Sequence, residues 1–593
     1  MYDLIMKIGD VDPLTLNNQL KKKNDEEFYY LYKSNYLFIE AVSYIKDDHK
    51  WFENNKYILI VLGDIFFRRN VNCSSFVPEP QIIIDTLINN KNPFMLFKGN
   101  YWIILHKKDS HSVMIISDPL SLLPLYISKV NHNIIISTNL SKYKINNWKI
   151  NSRVVLENII FNQPLSNNTI IDNVDYLKTG LIYNINETTI SYYNEYKLDN
   201  IIFNNKKYPL DIDELINDFN HSVLSYAKKS EMNLVSLTGG FDSRSIVSVF
   251  LKYNLPLTTF SFGREGGLNT IVPLMIKDRL GINHIPFYLD YNYENCYSYY
   301  AEEVIYWSDA LSIFERANYL YVDKKLKENY TNYISGLVGG EIFAPMTMYV
   351  PFCSQYYSDI FYKGQSFNID DALYNNKLKS FVNFIEPGTL SSLEDFINDK
   401  QKYINKLKTL ESGYLYYIYD FIDTGFRTFY GGQIHTERSY IENNTPFYNL
   451  DILERIMFSE RKKVFKKPFR GNPFWKRKNR ILQATIINKN YPELANIPTD
   501  RGFAPADILS FKGQLKSAIL YLKNENNLKK TPKEFISNKW SKLYYNYILN
   551  NNIKINNELF NAENIINYLK SYNENKYNQS FNRLLSISRW LSM

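Results

Sequence analysis

Cysteine is nearly absent: Cys73, Cys296 and Cys353 are the only three in 593 residues, and they stand far apart. That spacing argues against a disulfide framework and against a zinc site, and it predicts a reducing compartment. Long apolar runs are also missing, since stretches such as Tyr57 to Leu62 are short and end in glycine or charge, far below what spans a bilayer. The first residues, Met1-Tyr2-Asp3-Leu4-Ile5, give way to polar residues within a few positions, so the apolar core of a signal peptide is lacking. The expectation is a cytoplasmic protein with no membrane partner. Charge of one sign is scarce too: 69 basic against 61 acidic residues leave a net +8, small for this length. The densest basic stretch, Arg461, Lys462, Lys463, Lys466, Lys467 and Arg470 followed by Lys476, Arg477, Lys478 and Arg480, matches no known aromatic and basic recognition motif. It reads as a solvated face at the edge of a nucleotide site, with phosphate or nucleic-acid binding as the less favoured alternative.

What is present is enough apolar residue, 45% against 22% charged, to build packed cores, and the length favours roughly two to four domains. The 50 tyrosines and 37 phenylalanines accompany many Asn, Lys and Ile, a compositional bias that carries no functional weight. From residue 27 to about 200, strand-length runs rich in β-branched and aromatic residues recur between Asn, Gly, Pro and Asp: Tyr57 to Val61, Trp102 to His106, Val113 to Ser117, Leu125 to Ser128, Ile134 to Ser137 and Thr188 to Tyr193. They predict a mainly β sandwich. After Tyr208 the rhythm changes to helix (Leu210 to Lys229), strand (Asn233 to Leu237), helix (Ser245 to Tyr253) and strand (Leu257 to Phe262). Strands alternating with helices predict a parallel α/β sheet that binds ligand at the carboxyl ends of its strands. Beyond about Asp290 the periodicity is largely helical, with loops expected at Gly336 to Gly340, Gly431 to Gly432 and Pro498 to Gly502. The expected domains are 1–207, 208–515 and a helical extension, 516–593.

The sharpest motif is Ser236-Leu237-Thr238-Gly239-Gly240-Phe241-Asp242-Ser243-Arg244, set between a strand and a helix. Two glycines let the backbone turn tightly and approach an anion, Thr238 and Ser243 offer hydroxyls, and the helix amino end adds unpaired amides aimed at phosphate. Asp242 can hold magnesium against a pyrophosphate. The lysine-bearing P-loop pattern is missing. A tight turn that merely uses glycine would explain the glycine pair alone, but not the hydroxyls, the aspartate and the flanking elements together.

Here the chain resembles the asparagine synthetase family, whose pyrophosphate loop reads Ser-Gly-Gly-x-Asp-Ser. The resemblance continues at Thr259-Phe260-Ser261-Phe262-Gly263, where Ser261, Phe262 and Gly263 would hold adenine through backbone groups, and at Leu280-Gly281-Ile282-Asn283-His284. It continues again at Ser335-Gly336-Leu337-Val338-Gly339-Gly340-Glu341-Ile342-Phe343, which is similar to the family's Ser-Gly-x-Gly-x-Asp-Glu-x-Phe. Gly340 stands at the aspartate position, so either Glu341 is the second magnesium ligand or the second carboxylate is missing and turnover is impaired. Glu442-Asn443-Asn444-Thr445-Pro446-Phe447 keeps the glutamate, proline and phenylalanine of the family's Glu-x-Arg-x-Pro-Phe. Glu442 would orient or deprotonate the amine, or else cap or pair beside the turn. In Ile497-Pro498-Thr499-Asp500-Arg501-Gly502-Phe503, Asp500 occupies a family lysine position. Arg501 is its cationic neighbour, a stabiliser of the α-phosphate or a structural arginine.

The resemblance extends to an amino-terminal glutamine amidotransferase-like domain of the Ntn-hydrolase α+β sandwich type. Leu62-Gly63-Asp64-Ile65-Phe66 and Asp118 to Tyr126 are similar to its motifs. The family's nucleophilic cysteine at position two is Tyr2 here, so glutamine hydrolysis by a thiolate is not expected. The fold class implied is this β domain followed by a parallel-sheet, adenine nucleotide hydrolase-like α/β domain with helical additions. The function implied is ATP-dependent and magnesium-dependent amide formation through an acyl-adenylate, from a small-molecule or peptide carboxylate and ammonia or an amine. The alternatives are an amide cyclase similar to β-lactam synthetases and lasso peptide cyclases, and a degenerate nucleotide-binding protein. A transfer-RNA modifying enzyme ranks last, and a homodimer remains an option.

Overall fold

The computed structural model describes residues 3–9, 28–43, 49–71, 75–89, 91–130, 132–144, 147–164, 166–187, 189–194, 196–203, 208–228, 231–343, 383–386, 419–459, 480–528, 533–572 and 579–593. Tyr2, Cys73, Cys353 and the basic stretch from Arg461 to Lys478 lie outside these residues.

Two six-stranded antiparallel sheets form the amino-terminal part. The strands are β1 (Asp3–Ile8), β2 (Phe28–Lys33), β3 (Leu37–Ser43), β4 (Trp51–Glu53), β5 (Tyr57–Phe67), β6 (Phe97–Lys107), β7 (Ser112–Ser117), β8 (Tyr126–Val130), β9 (Asn133–Ser137), β10 (Val174–Tyr176), β11 (Leu181–Asn186) and β12 (Thr189–Asn194). One sheet runs β10-β8-β9-β1-β3-β2 and the other β12-β11-β7-β6-β5-β4. β5 pairs with β6 over its whole length, from Tyr57 opposite Lys107 to Phe67 opposite Phe97. Ile58, Ile60, Leu62 and Trp102 join the main core, while Leu59, Val61 and Tyr101 pack under helix α1 (Pro80–Ile88) through Ile83, Ile84 and Leu87. A strand covered on both faces reads as one apolar run and not as an alternation, which is why Tyr57 to Leu62 stood out. Trp102 is fully buried and its indole N–H donates to the Leu123 carbonyl at 2.9 Å; truncating it to alanine costs about 3–5 kcal/mol. The strand pattern is legible from residue 27 onward, yet β1 sits earlier in the chain and lies between β9 and β3.

The third sheet is parallel, ordered β15-β14-β13-β16-β17. Its strands are β13 (Asn233–Ser236), β14 (Leu257–Gly263), β15 (Asn283–Tyr288), β16 (Asn332–Ile334) and β17 (Glu442–Asn444). Helix α2 (Ser152–Phe161) belongs to the first part. Helices α3 (Ile212–Tyr226), α4 (Asp242–Lys252), α5 (Leu268–Leu280), α6 (Tyr291–Trp307), α7 (Gly339–Phe343), α8 (Phe426–Arg438), α9 (Leu450–Met457), α10 (Ile481–Asn490), α11 (Lys533–Asn550) and α12 (Gln579–Ser592) follow. The mixed α/β class expected from the sequence is the one observed.

Two local expectations are corrected. β16 and β17 lie in the stretch read as helical, because three residues are too few to show a period. Gly431 and Gly432, read as a loop, lie inside α8, where a Cβ would meet the Leu122 carbonyl oxygen at 2.2 Å and the Leu311 side chain at 2.7 Å respectively. Here glycine serves close helix packing and does not end the helix. At the carboxyl end, α11 packs on α6, and α12 packs on both α6 and α2. Lys144 of the first part sits 3.6 Å from the Trp590 ring centre on α12. Among the described residues no helix is long and apolar enough to cross a membrane.

Candidate functional site

β13 is the central strand of the parallel sheet, and at its carboxyl end the chain turns through Thr238 to Phe241 into α4. The turn is tied by its own hydroxyls. The Thr238 N–H donates to Ser243 Oγ at 3.0 Å, and Thr238 Oγ1 lies 3.2 Å from the same oxygen. The first amides of α4 have no intrahelical acceptor, so the turn and helix start form an anion-seeking mouth.

Three other segments close on this mouth. The Asp500 N–H donates to the Gly239 carbonyl at 3.2 Å, and Arg244, fully buried, donates to the carbonyls of Ile497 and Pro498 at 2.5 Å each. One arginine of the motif thus clamps the loop that carries Asp500 and Arg501. Residues 335–341 approach from the other side: the Ser335 N–H donates to the Asn444 carbonyl at the end of β17 (2.8 Å). At Gly336 a Cβ would stand 2.9 Å from both Asp242 Cβ and the Ser243 nitrogen. Helix α10 supplies the third segment, with the Gln483 amide donating to Asp242 Oδ1 and the Arg480 guanidinium over the Phe241 ring at 5.3 Å.

The electrostatics follow from this convergence. Burial pushes the Asp242 carboxyl up, while Arg480, Gln483 and Arg501 pull it back. Glu341 is pushed up to about 7 by burial and by the charge of Asp242, against a hydrogen bond from the Tyr430 hydroxyl (3.0 Å). Arg480 is pulled down by burial and by Arg501, and held up by Asp242, Asp500 and Glu341. Neither Asp242 nor Glu341 forms an ion pair with a described cation. Two neighbouring carboxylates, one raising the proton affinity of the other, beside this glycine turn fit a magnesium ion, which takes one or two protein carboxylates and fills its shell with other oxygens. Among the described residues no group of three His, Cys, Asp or Glu is placed to hold a metal by itself.

On the β14 side, the Leu237 N–H donates to the Phe260 carbonyl and the Leu289 N–H donates to the Gly263 carbonyl. Backbone groups of a strand alternate in direction, so the Phe262 amide faces the β13 side beyond the point where β13 has become the loop. Ser261 is buried, its hydroxyl 3.0 Å from His284 Nε2; His284 Nδ1 lies 2.9 Å from Thr259 Oγ1.

Glu442 lies at the start of β17, two residues before Asn444. Its carboxylate is 3.6 Å from Lys50 and 3.9 Å from Arg438, beside the pairs of Asp64 with Lys50 and with Arg438, each at 3.0 Å. This cluster joins the two parts of the chain. Of the sequence-derived residues, Ser236 to Ser243, Ser335, Gly336, Glu341 and Arg501 come together, Ser261 to Gly263 line the neighbouring strand end, and Glu442 stands in the ion-pair cluster.

Residues that sequence reasoning missed are Arg480, read only as the end of a basic stretch, Gln483 and Tyr430. Arg316 is another: its guanidinium lies over Tyr319 and Phe429, 5.5 and 5.2 Å from the ring centres, and Tyr319 meets Phe262 edge-on at 5.1 Å. The three-residue step from Arg480 to Gln483 on one helix face was the available signal.

No family model and no curated protein matches the chain, whereas 31 solved chains do. One is glutamine phosphoribosylpyrophosphate amidotransferase from B. subtilis complexed with ADP and GMP, at 10% identity and a TM-score of 0.19, covering 48% of this chain and 59% of that one. Another is described as the allosteric regulatory enzyme of purine biosynthesis, at 11% identity and a TM-score of 0.18, covering 40% of this chain and 54% of that one. The chain therefore spans little more than half the length of either.

Proposed function

We propose that this protein is an asparagine synthetase-like enzyme that spends ATP to form an amide, activating a carboxylate as its adenylate and releasing pyrophosphate. The observation that carries the reading is the convergence of Asp242, Glu341, Arg480 and Arg501 on the glycine turn at the end of β13. Backbone amides of the turn and the hydroxyls of Thr238 and Ser243 receive the pyrophosphate portion of ATP. The Phe262 amide and the strand end at Gly263 receive the base. Arg480 and Arg501 neutralise charge that builds on the phosphates as the carboxylate attacks the α-phosphorus. Asp242 and Glu341 would hold magnesium, which would supply positive charge to offset that of the phosphates. Ammonia or an amine then displaces AMP from the acyl carbon. The carboxylate is a small molecule or a peptide terminus.

The test is to incubate the protein with ATP, magnesium, aspartate and ammonium, separating nucleotides while mass spectrometry follows the amide. AMP in step with asparagine supports the ammonia-dependent synthetase. AMP without asparagine directs the search to another carboxylate or to an internal amine, as in a cyclase. Nucleotide binding without any AMP would overturn the enzyme reading in favour of a degenerate nucleotide-binding protein.

A further inference from the structure

Helix α8 lies between the two parts of the chain, and its two sides do different things. Toward the amino-terminal part, Arg427 is buried and donates to the Leu177 carbonyl at 2.7 Å and to Asn167 Oδ1 at 2.9 Å. Gly431 lets the Leu122 carbonyl lie against the helix backbone, and Arg438 reaches Asp64. Toward the parallel sheet, Tyr430 donates to Glu341. Glu437, two turns along the same face, is 1% exposed and accepts from the Tyr333 hydroxyl at 3.2 Å, the Asn443 amide at 2.5 Å and the Gln433 amide at 2.7 Å. Tyr333 belongs to β16 and Asn443 to β17, the strands that lead into the 335–341 segment and flank it. Glu437 therefore fixes α8 to the strands beneath Glu341, and Tyr430 fixes the Glu341 carboxylate itself.

We propose that α8 is a strut through which the amino-terminal part holds the Glu341 carboxylate in place for magnesium, with Arg427, Tyr430 and Glu437 as positioning residues. This rests on the reading of Asp242 and Glu341 as metal ligands. The amino-terminal part then acts as a support for the metal site, because its Leu122, Asn167 and Leu177 groups seat the helix. Hydrogen-bond partners of metal ligands are worth about 10 to 100-fold in metal affinity, and a chain of such partners links Arg427 to the site without touching ligand.

The test uses the full-length protein with manganese as a spectroscopic stand-in and a non-hydrolysable ATP analogue, so that binding is read without turnover. Tyr430→Phe and Arg427→Gln are each expected to weaken manganese binding about tenfold, with analogue affinity in the absence of metal unchanged. Arg427→Lys, which keeps the charge and one donor, is expected to recover part of the loss. A Gly431→Ala protein, if folded by circular dichroism, should behave as Arg427→Gln does. Wild-type manganese affinity in both Tyr430→Phe and Arg427→Gln would overturn the strut while leaving the metal-site reading intact. Unchanged manganese affinity in Asp242→Asn would overturn that reading and the strut with it.

Discussion

Gly336 and Gly340 are both glycines of the segment facing the Gly239-Gly240 turn, yet a methyl group should have opposite consequences at the two. At Gly336 the added carbon would lie 2.9 Å from Asp242 Cβ, 2.9 Å from the Ser243 nitrogen and 3.1 Å from the Asp242 carbonyl carbon. Ordinary contact between such atoms is about 3.5–4.0 Å, so the two segments must part by about 0.5–1 Å. Overpacking of this kind costs about 1–3 kcal/mol, and a displacement near 1 Å at a reacting centre costs about 100-fold in rate. At Gly340 the nearest atoms to a new Cβ are the Asp242 carboxylate oxygens, at 3.8 and 4.0 Å, so Gly340→Ala should stay within about 0.5 kcal/mol of the parent. Urea denaturation of Gly336→Ala, Gly340→Ala and the parent, with AMP release measured on the same preparations, compares them directly. Gly336→Ala should unfold at lower urea and lose about two orders of magnitude in AMP release, while Gly340→Ala does neither. Equal behaviour of the two variants would refute the convergence of the 335–341 segment on the turn.

Gly340→Asp places a third carboxylate beside Asp242 and Glu341, so it should lower stability without metal through like-charge repulsion and regain it when magnesium is added; no stabilisation by magnesium would contradict the metal-site reading. Arg480 has no ion pair with a described carboxylate to lose, so Arg480→Ala should leave the unfolding midpoint nearly unchanged and raise the ATP requirement about 10-fold or more, as for loss of a charge-assisted contact; a fall in stability alone would make it a structural arginine. Glu442→Gln leaves Lys50 and Arg438 short of a partner, and breaking a buried pair costs about 3–5 kcal/mol; a rise in the amine KM at unchanged stability would instead restore an amine-orienting role. Asp309, whose carboxylate accepts the Leu140 N–H at 3.0 Å, is pushed from 3.8 up to about 7 mainly by burial. Its folded form keeps a proton that the unfolded chain releases, so stability falls by up to about 4 kcal/mol as pH rises from about 4 to 7. Asp309→Asn should flatten that part of a pH series of urea midpoints, and an unchanged slope would contradict the assignment.

The glycine turn between strand and helix was legible because it compresses strand, glycines, hydroxyls and helix start into nine consecutive residues. The helix begins at Asp242, ahead of the expected Ser245, since an aspartate in the first turn favours the helix amino end. β5, β6, β13 and β14 were legible for a related reason: each is an apolar run bounded by turn residues. The rest depended on distant chain. Tyr430 is 89 residues from Glu341 and Gln483 is 241 from Asp242, and no local pattern announces either pairing. Glu442 shows the converse, because its motif neighbourhood is local while its charge partners Lys50 and Arg438 come from both parts of the chain. Gly431 and Gly432 were read as a break because glycine is a poor helix former, and tertiary packing against Leu122 and Leu311 reversed that preference.

The most direct measurement is the identity of the nucleotide product in a wild-type and Asp242→Ala pair given ATP, magnesium and a panel of carboxylates with ammonium. The account predicts AMP and pyrophosphate in equal amounts from the wild type, with both falling sharply in Asp242→Ala. Release of ADP and phosphate, or AMP formation that survives Asp242→Ala, would contradict it.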